Sequence, residues 1–163
     1  MTQPSCTGPR IGLGFDLHRL EEARPCRLGG ITLDHPAGHS DGDAVLHAVT
    51  DALLGAAGLD DIGTLFPDTD AANKDQDSAV FIQAAIDAIQ KEGYRIGNVD
   101  IVIATEGPRI APSRPAMRER LAELLGIPTN AVNVKGKTLE GMGALAKGAG
   151  VAVQAICLLM PKR

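Results

Sequence analysis

Aromatic side chains make up only 2% of this 163-residue chain, with no tryptophan, one tyrosine and three phenylalanines. That leaves almost nothing for bases to stack on. A formal charge of -4, from 20 acidic and 16 basic residues, gives no broad field to attract a phosphodiester backbone, so nucleic acid is not an expected partner. Cysteine is sparse as well. Cys6, Cys26 and Cys157 form an odd set without close spacing, which fits neither a disulfide framework nor a zinc knuckle and points to a reducing, cytoplasmic setting. No run of about 18 uninterrupted apolar residues is present to span a membrane, and the first nine residues have neither the apolar centre of a secretory signal nor the arginine-rich pattern of an organelle address. We expect residues 1–9 to be a loose tail and residues 10–163 to form one domain, a length that buries roughly 68–70% of the unfolded surface. An anionic ligand would have to be held locally, by metal ions, helix ends or a few basic groups.

What is present is a regular alternation of strand and helix patterns. Residues 10–18 read as a strand, and Arg27 to Leu33 carries the glycine punctuation of a hairpin. A helix is predicted over about 41–57, capped by Ser40 or Asp41 and stopped by Gly58, with Val45, Leu46, Val49, Leu53 and Leu54 as its apolar stripe. Residues 59–70 look too acidic and too punctuated for a regular element. Asp77-Ser78 opens a second helix that ends at Gly93, and Val99 to Ala104 is a buried-type strand. A third helix, about 113–125, turns Arg118, Glu119, Arg120 and Glu123 to solvent. Strands at Ala131–Val134 and Val151–Met160 complete an α/β (α+β) domain with a mixed sheet, the last strand being apolar on both faces as a central strand would be.

Two of these elements carry chemistry. A lone histidine in a helical stripe, such as His47, is most simply a hydrogen-bonded core residue. The first strand changes that reading, because Asp16 and His18 are two residues apart and leave an extended strand on the same face. If that strand lies beside the helix, Asp16, His18 and His47 make a three-ligand site of nitrogen and oxygen donors. Such a set suits zinc with a fourth position open for chemistry. Gly136-Lys137-Thr138 has the ending of a phosphate-binding P-loop, but the glycine required upstream is absent, Ala131 standing there. A lysine, a hydroxyl and Glu140 at a strand end remain as a diphosphate and magnesium contact.

Taken together, Gly14-Phe15-Asp16-Leu17-His18, His39-Ser40-Asp41-Gly42-Asp43 with His47, Asp61-Ile62-Gly63 with Phe66-Pro67-Asp68-Thr69-Asp70, and Val132-Asn133-Val134-Lys135 closely resemble the 2-C-methyl-D-erythritol 2,4-cyclodiphosphate synthase family. The resemblance implies a lyase of the non-mevalonate isoprenoid route. It would close a cyclic diphosphate on a cytidine diphosphate ester and release cytidine monophosphate. It further implies a mixed sheet with helices on one face, and a homotrimer with active sites between subunits. Carried over by position, Asp16, His18 and His47 would bind zinc and Glu140 magnesium. Thr138, His39 and Ser40 would serve the reacting phosphates, while Asp61, Gly63, Phe66 and Asp68 would shape the methylerythritol pocket. Thr105, Pro108, Arg109, Ile110 and Ala111, with Lys137, would cradle the cytidine end.

The chain departs from the family's usual pattern at Lys147-Gly148-Ala149-Gly150, where Gly-Arg-x-Glu-Gly is common, within a glycine-rich link from Gly141 to Gly150. A lysine keeps the charge without the planar fork, and an alanine removes the acid, so the sequence does not decide whether a trimer-axis cavity, which the resemblance implies, takes an isoprenoid diphosphate. Leu139 and Arg109 are milder changes beside the nucleotide. Two other readings share the residues. A zinc phosphohydrolase would use the same ligands with a water nucleophile, and a trimeric binding protein would keep the fold without the reaction.

Overall fold

The structure, a computed structural model, describes residues 8–22, 24–35, 37–38, 42–67, 76–143, 145 and 150–162. Its centre is a four-stranded mixed sheet built from β1 (Arg10–Arg19), β6 (Tyr94–Thr105), β7 (Val132–Lys137) and β8 (Gly150–Pro161) in the order β1-β8-β6-β7. β8 runs antiparallel to both neighbours, and β6 and β7 are parallel. The parallel pair needs a crossover, which α4 (Arg114–Leu125) supplies. Two short ribbons, β2 (Glu21–Glu22) with β5 (Ala37–Gly38) and β3 (Cys26–Leu28) with β4 (Ile31–Leu33), fill the connection before α1 (Ala44–Ala57). α2 (Ile62–Leu65) and α3 (Ser78–Lys91) lie between α1 and β6.

One face of the sheet is buried by the helices. Val99, Ile101 and Ile103 of β6, Val132 and Val134 of β7, and Val151, Val153, Ala155, Cys157 and Leu159 of β8 meet Val49, Leu53, Ile82, Ile89, Met117 and Leu121 in one core. The approach of α1 to β1 is unusually close. A Cβ on Gly12 would stand 2.0 Å from the Ala52 carbonyl oxygen, and one on Gly14 would stand 1.8 Å from that of Ala48. Two residues of strand advance about 6.8 Å and four of helix about 6.0 Å, so glycines at every second strand position stay in step with alanines at every fourth helix position. The same step carries Asp16 and His18 along the helix to the turn that bears His47.

Asp43 sets where α1 begins. Its carboxylate accepts from the amides of Val45 and Leu46 in the first turn and, on the other side, from Gly29 and Gly30 in the β3–β4 turn. Burial pushes this carboxyl above its usual range, against the pull of those four donors. The helix therefore starts three residues later than predicted, with Asp43 and not Ser40 or Asp41 as cap. Its end at Gly58, in the left-handed region, is as expected.

Two further expectations need correction. Residues 59–70 do contain a regular element, α2. It is stable there because Asp61 accepts from the Thr64 amide and Asp51 of α1 accepts from the Ile62 amide. The α4 charges are not all a solvated face, since Arg118 donates to the Val132 and Thr129 carbonyls and so ties the helix to the start of β7. β8 is central, yet within one chain its Ile156 is exposed, on the same sheet face as Ile11, Leu13, Phe15 and Leu17. Cys26 and Cys157 are free and buried, and burial pushes both thiols up to about 11, so neither is a nucleophile. No helix among the described residues is long and apolar enough to cross a membrane. The N-terminal tail lies almost wholly outside the described residues.

Gly14→Ala is expected to push β1 away from α1 and destabilise the fold by about 1–3 kcal/mol. Urea unfolding measures this directly, and an unchanged midpoint would contradict the close approach.

Candidate metal centre and active site

Alternation along β1 sends Asp16 and His18 to the helix side of the sheet, and α1 presents His47 to them. Asp16 Oδ2 lies 2.8 Å from His18 Nδ1 and 3.4 Å from His47 Nδ1. The two rings are tilted with centroids 5.3 Å apart. The spacing around Asp16 Oδ2 is that of hydrogen bonds but the alignment is not, and this oxygen is shut off from solvent. Burial by itself raises the Asp16 carboxyl, but the His18 and His47 imidazoles outweigh it and hold the group well below the usual carboxylate range. The other oxygen, Oδ1, accepts from the Leu17 amide at 2.9 Å and so fixes the carboxylate plane.

One ligand atom from each of the three residues falls within 4.8 Å of the others. A tetrahedral ion with bonds of about 2.0–2.2 Å keeps its ligands roughly 3.4 Å apart, so a small inward movement would close this set on a divalent metal. An ionised carboxylate oxygen with no aligned donor, facing two imidazole nitrogens, is the donor chemistry such an ion requires. The far side of His47 is held in place too. Its Nε2 is 3.1 Å from Ser78 Oγ, which also accepts from the Asp43 amide, and its ring packs on Phe81 at 5.7 Å. These contacts orient the imidazole from behind, as outer partners of metal ligands do.

Phe81 in turn packs on Phe66 at 4.7 Å, which brings the end of α2 to this centre. Asp51, one turn beyond His47, anchors the start of α2 through the Ile62 amide. Asp61 and Gly63 are exposed on α2 and its cap. Thr50, the other polar residue of that turn, donates to the Leu46 carbonyl within α1 and belongs to the core.

A second group gathers where β6 and β7 end. Their paired register stops at Ala104 opposite Lys137. Thr105 is buried and bonded to the Gly107 and Gly150 backbone. The loop continues through a cis Gly107–Pro108 bond to Ile110, which leads into a 3-10 turn, Ala111–Ser113, and then α4. Arg109, Ala111, Lys137, Thr138 and Glu140 are exposed, and Thr138 Oγ1 donates to Glu140 Oε1 at 2.9 Å. His18 pairs with Val151 and Val151 with Thr105, so the two groups share one end of the sheet, two strand spacings or about 10 Å apart.

The pattern of the YgbB family matches residues 9–160. A 2-C-methyl-D-erythritol 2,4-cyclodiphosphate synthase from Gemmatimonas aurantiaca is 54% identical over 154 residues, spanning 93% of each chain. One from Edwardsiella ictaluri is 50% identical over 93% of this chain and 98% of its own. Among solved structures, "IspF (Plasmodium falciparum) CDP complex" superposes with a TM-score of 0.85 at 36% identity, over 98% of this chain and all of that one. The chain belongs to the YgbB family.

For this family member the structure brings Asp16, His18 and His47 together as the residue pattern suggested. It places Asp61, Gly63 and Phe66 on one short helix and its caps beside them. Thr105, Pro108, Arg109, Ile110, Ala111, Lys137, Thr138 and Glu140 form the second group. Ile110 is a partial correction, because its side chain is buried against Gly136 and leaves mainly its backbone for a ligand. His39, Ser40 and Asp68 lie outside the described residues, as do Lys147 and Ala149. The support of His47 by Ser78 and Phe81 was not anticipated. Ser78 reads as part of a helix start, and no local spacing signals that a serine 31 positions away meets a given imidazole.

His47→Ala is expected to abolish binding of a divalent metal ion at this centre while leaving the fold intact, since the side chain is a rim residue of the core. Metal analysis after equilibrium dialysis checks this. Full metal retention would remove His47 from the ligand set.

Proposed function

We propose that the chain converts 4-diphosphocytidyl-2-C-methyl-D-erythritol 2-phosphate to 2-C-methyl-D-erythritol 2,4-cyclodiphosphate, releasing cytidine monophosphate, in the non-mevalonate route to isoprenoids. The observation that carries this reading is the convergence of Asp16, His18 and His47 in a chain about half identical to synthases of that name over more than nine-tenths of its length. A nucleotide diphosphate in a homologous fold supports the substrate class.

The nucleophile is an oxygen of the 2-phosphate, already ionised, so the protein need supply no strong base. One phosphorus–oxygen bond forms to that oxygen, the bond to cytidine monophosphate breaks, and no water enters. The difficulty is holding two anionic phosphates in line, which is a task of positioning and charge neutralisation. When bound, zinc on Asp16, His18 and His47 and magnesium on Glu140 would supply the positive charge that this acidic chain lacks. Thr138 offers a hydroxyl to the diphosphate, and His39 and Ser40 serve the phosphate and polyol side. Asp61, Gly63, Phe66 and Asp68 shape the methylerythritol pocket. Thr105, Pro108, Arg109, Ile110 and Ala111 hold the cytidine end, the loop backbone presenting itself between Pro108 and Ala111, with Lys137 beside the phosphates.

The active unit is a homotrimer of cytoplasmic chains with sites between subunits. Support comes from the sheet face opposite the helices, where Ile11, Leu13, Phe15, Leu17 and Ile156 are each more than half exposed. A contiguous apolar patch of this kind marks an interaction surface. A trimer would also let the cytidine group of one chain complete the metal group of its neighbour.

Phosphorus NMR of the protein with its substrate is expected to show the cyclic diphosphate and cytidine monophosphate in equal amounts, only with divalent metal. Linear phosphate products would identify a hydrolase instead. Sedimentation should give three times the chain mass of 17.0 kDa, and Phe15→Glu should release monomers. A monomeric wild type would refute the trimer.

A further inference from the structure

Glu106 is the first residue beyond β6, inside the loop assigned to cytidine, yet its carboxylate is committed elsewhere. Its Oε1 accepts from the Leu139 amide at 2.8 Å and from the Gly141 amide at 3.3 Å. Those two amides bracket Glu140, the one non-glycine residue with positive φ among the described residues, at 51°. A side-chain-bearing residue is disfavoured in that conformation unless its surroundings impose it. The sheet does not impose it. The β6–β7 register ends at Ala104 and Lys137, and beyond it the turn closes on itself through the Met142 amide, which donates to the Leu139 carbonyl at 2.8 Å, while Glu106 ties that turn to the end of β6.

We propose that Glu106 is a positioning residue for the cyclisation: through one carboxylate oxygen it clamps the turn that carries Glu140, and so fixes the Glu140 carboxylate toward the magnesium. This rests on the assignment of Glu140 to magnesium under the proposed function. The clamp acts in two stages. Glu106 holds the Thr138–Leu139 and Glu140–Gly141 peptide planes, and Thr138 Oγ1, donating to Glu140 Oε1 at 2.9 Å, then sets the side chain. Because Glu106 sits in the cytidine loop, the same contact keeps the nucleotide end and the metal end of the substrate in fixed relation. Both bonds fall on one oxygen, so the amide oxygen of glutamine can make them, whereas alanine cannot and aspartate is too short to reach both.

The test compares wild type, Glu106→Ala, Glu106→Gln and Glu106→Asp, each loaded with zinc. Manganese stands in for magnesium, and its binding is followed by electron paramagnetic resonance in the presence of cytidine diphosphate. The magnesium dependence of turnover is measured alongside. Glu106→Ala is expected to weaken manganese binding about tenfold and lower kcat by roughly 10–100-fold, in line with the cost of small misplacements at a reacting centre. Its zinc content should not change. Glu106→Gln should stay within about threefold of wild type, and Glu106→Asp should fall with the alanine variant and replace it in the comparison if that variant does not fold. Unaltered manganese binding and magnesium response in Glu106→Ala would overturn the proposal, and so would a glutamine variant as impaired as the alanine one. Absence of cyclic product from wild type would strike the proposed activity itself, while the manganese measurement would still judge the clamp.

Discussion

The close contact between β1 and α1 is the constraint on which the rest depends. Two glycines on the strand and a file of alanines on the helix bring backbone against backbone, at a distance where a single methyl group on Gly12 or Gly14 would collide with a carbonyl oxygen. The near match between two strand residues and four helix residues carries that contact along both elements. At its far end the small residues give way to Asp16 and His18 on the strand, and His47 meets them from the helix. The metal centre is thus the continuation of a packing register. Its candidate ligands are placed by two elements packed backbone against backbone, the kind of support a site needs if its geometry is to be held within a fraction of an ångström.

A second theme is the use of carboxylates on backbone amides. Asp43 joins the start of α1 to the β3–β4 turn, Asp51 joins α1 to α2, Asp61 caps α2, and Glu106 joins the ends of β6 and β7. Each holds a turn or a helix start in place. A side-chain oxygen that satisfies amides at two places in the chain orders a loop without burying apolar surface, leaving the loop open to a polar ligand. Part of the acidic excess of this protein is therefore structural.

Much of this was legible in the residues. Alternation placed Asp16 and His18 on one face of β1, helical spacing placed His47 on α1, and Gly58 marked a helix end where left-handed backbone occurs. The start of α1 was misread because Ser40, Asp41 and Asp43 are all competent caps. The choice depends on a distant partner, the amides of Gly29 and Gly30. α2 was missed for a related reason: four residues carry little periodicity, and what stabilises them is Asp51, ten or more residues upstream. Ser78 behind His47 and Glu106 across from Leu139 are likewise contacts between chain segments more than 30 positions apart. Local pattern reports the elements, whereas the second layer around the site comes from how they are assembled.

The central claim is that the glycine–alanine contact delivers one carboxylate and two imidazoles to a single metal ion. X-ray absorption at the zinc edge of the wild-type protein, loaded with one equivalent per chain, tests it most directly. The expected spectrum has a shell of nitrogen and oxygen at about 2.0–2.2 Å with the outer scattering of two imidazoles. A sulfur shell near 2.3 Å, or the signature of fewer than two imidazoles, would contradict it.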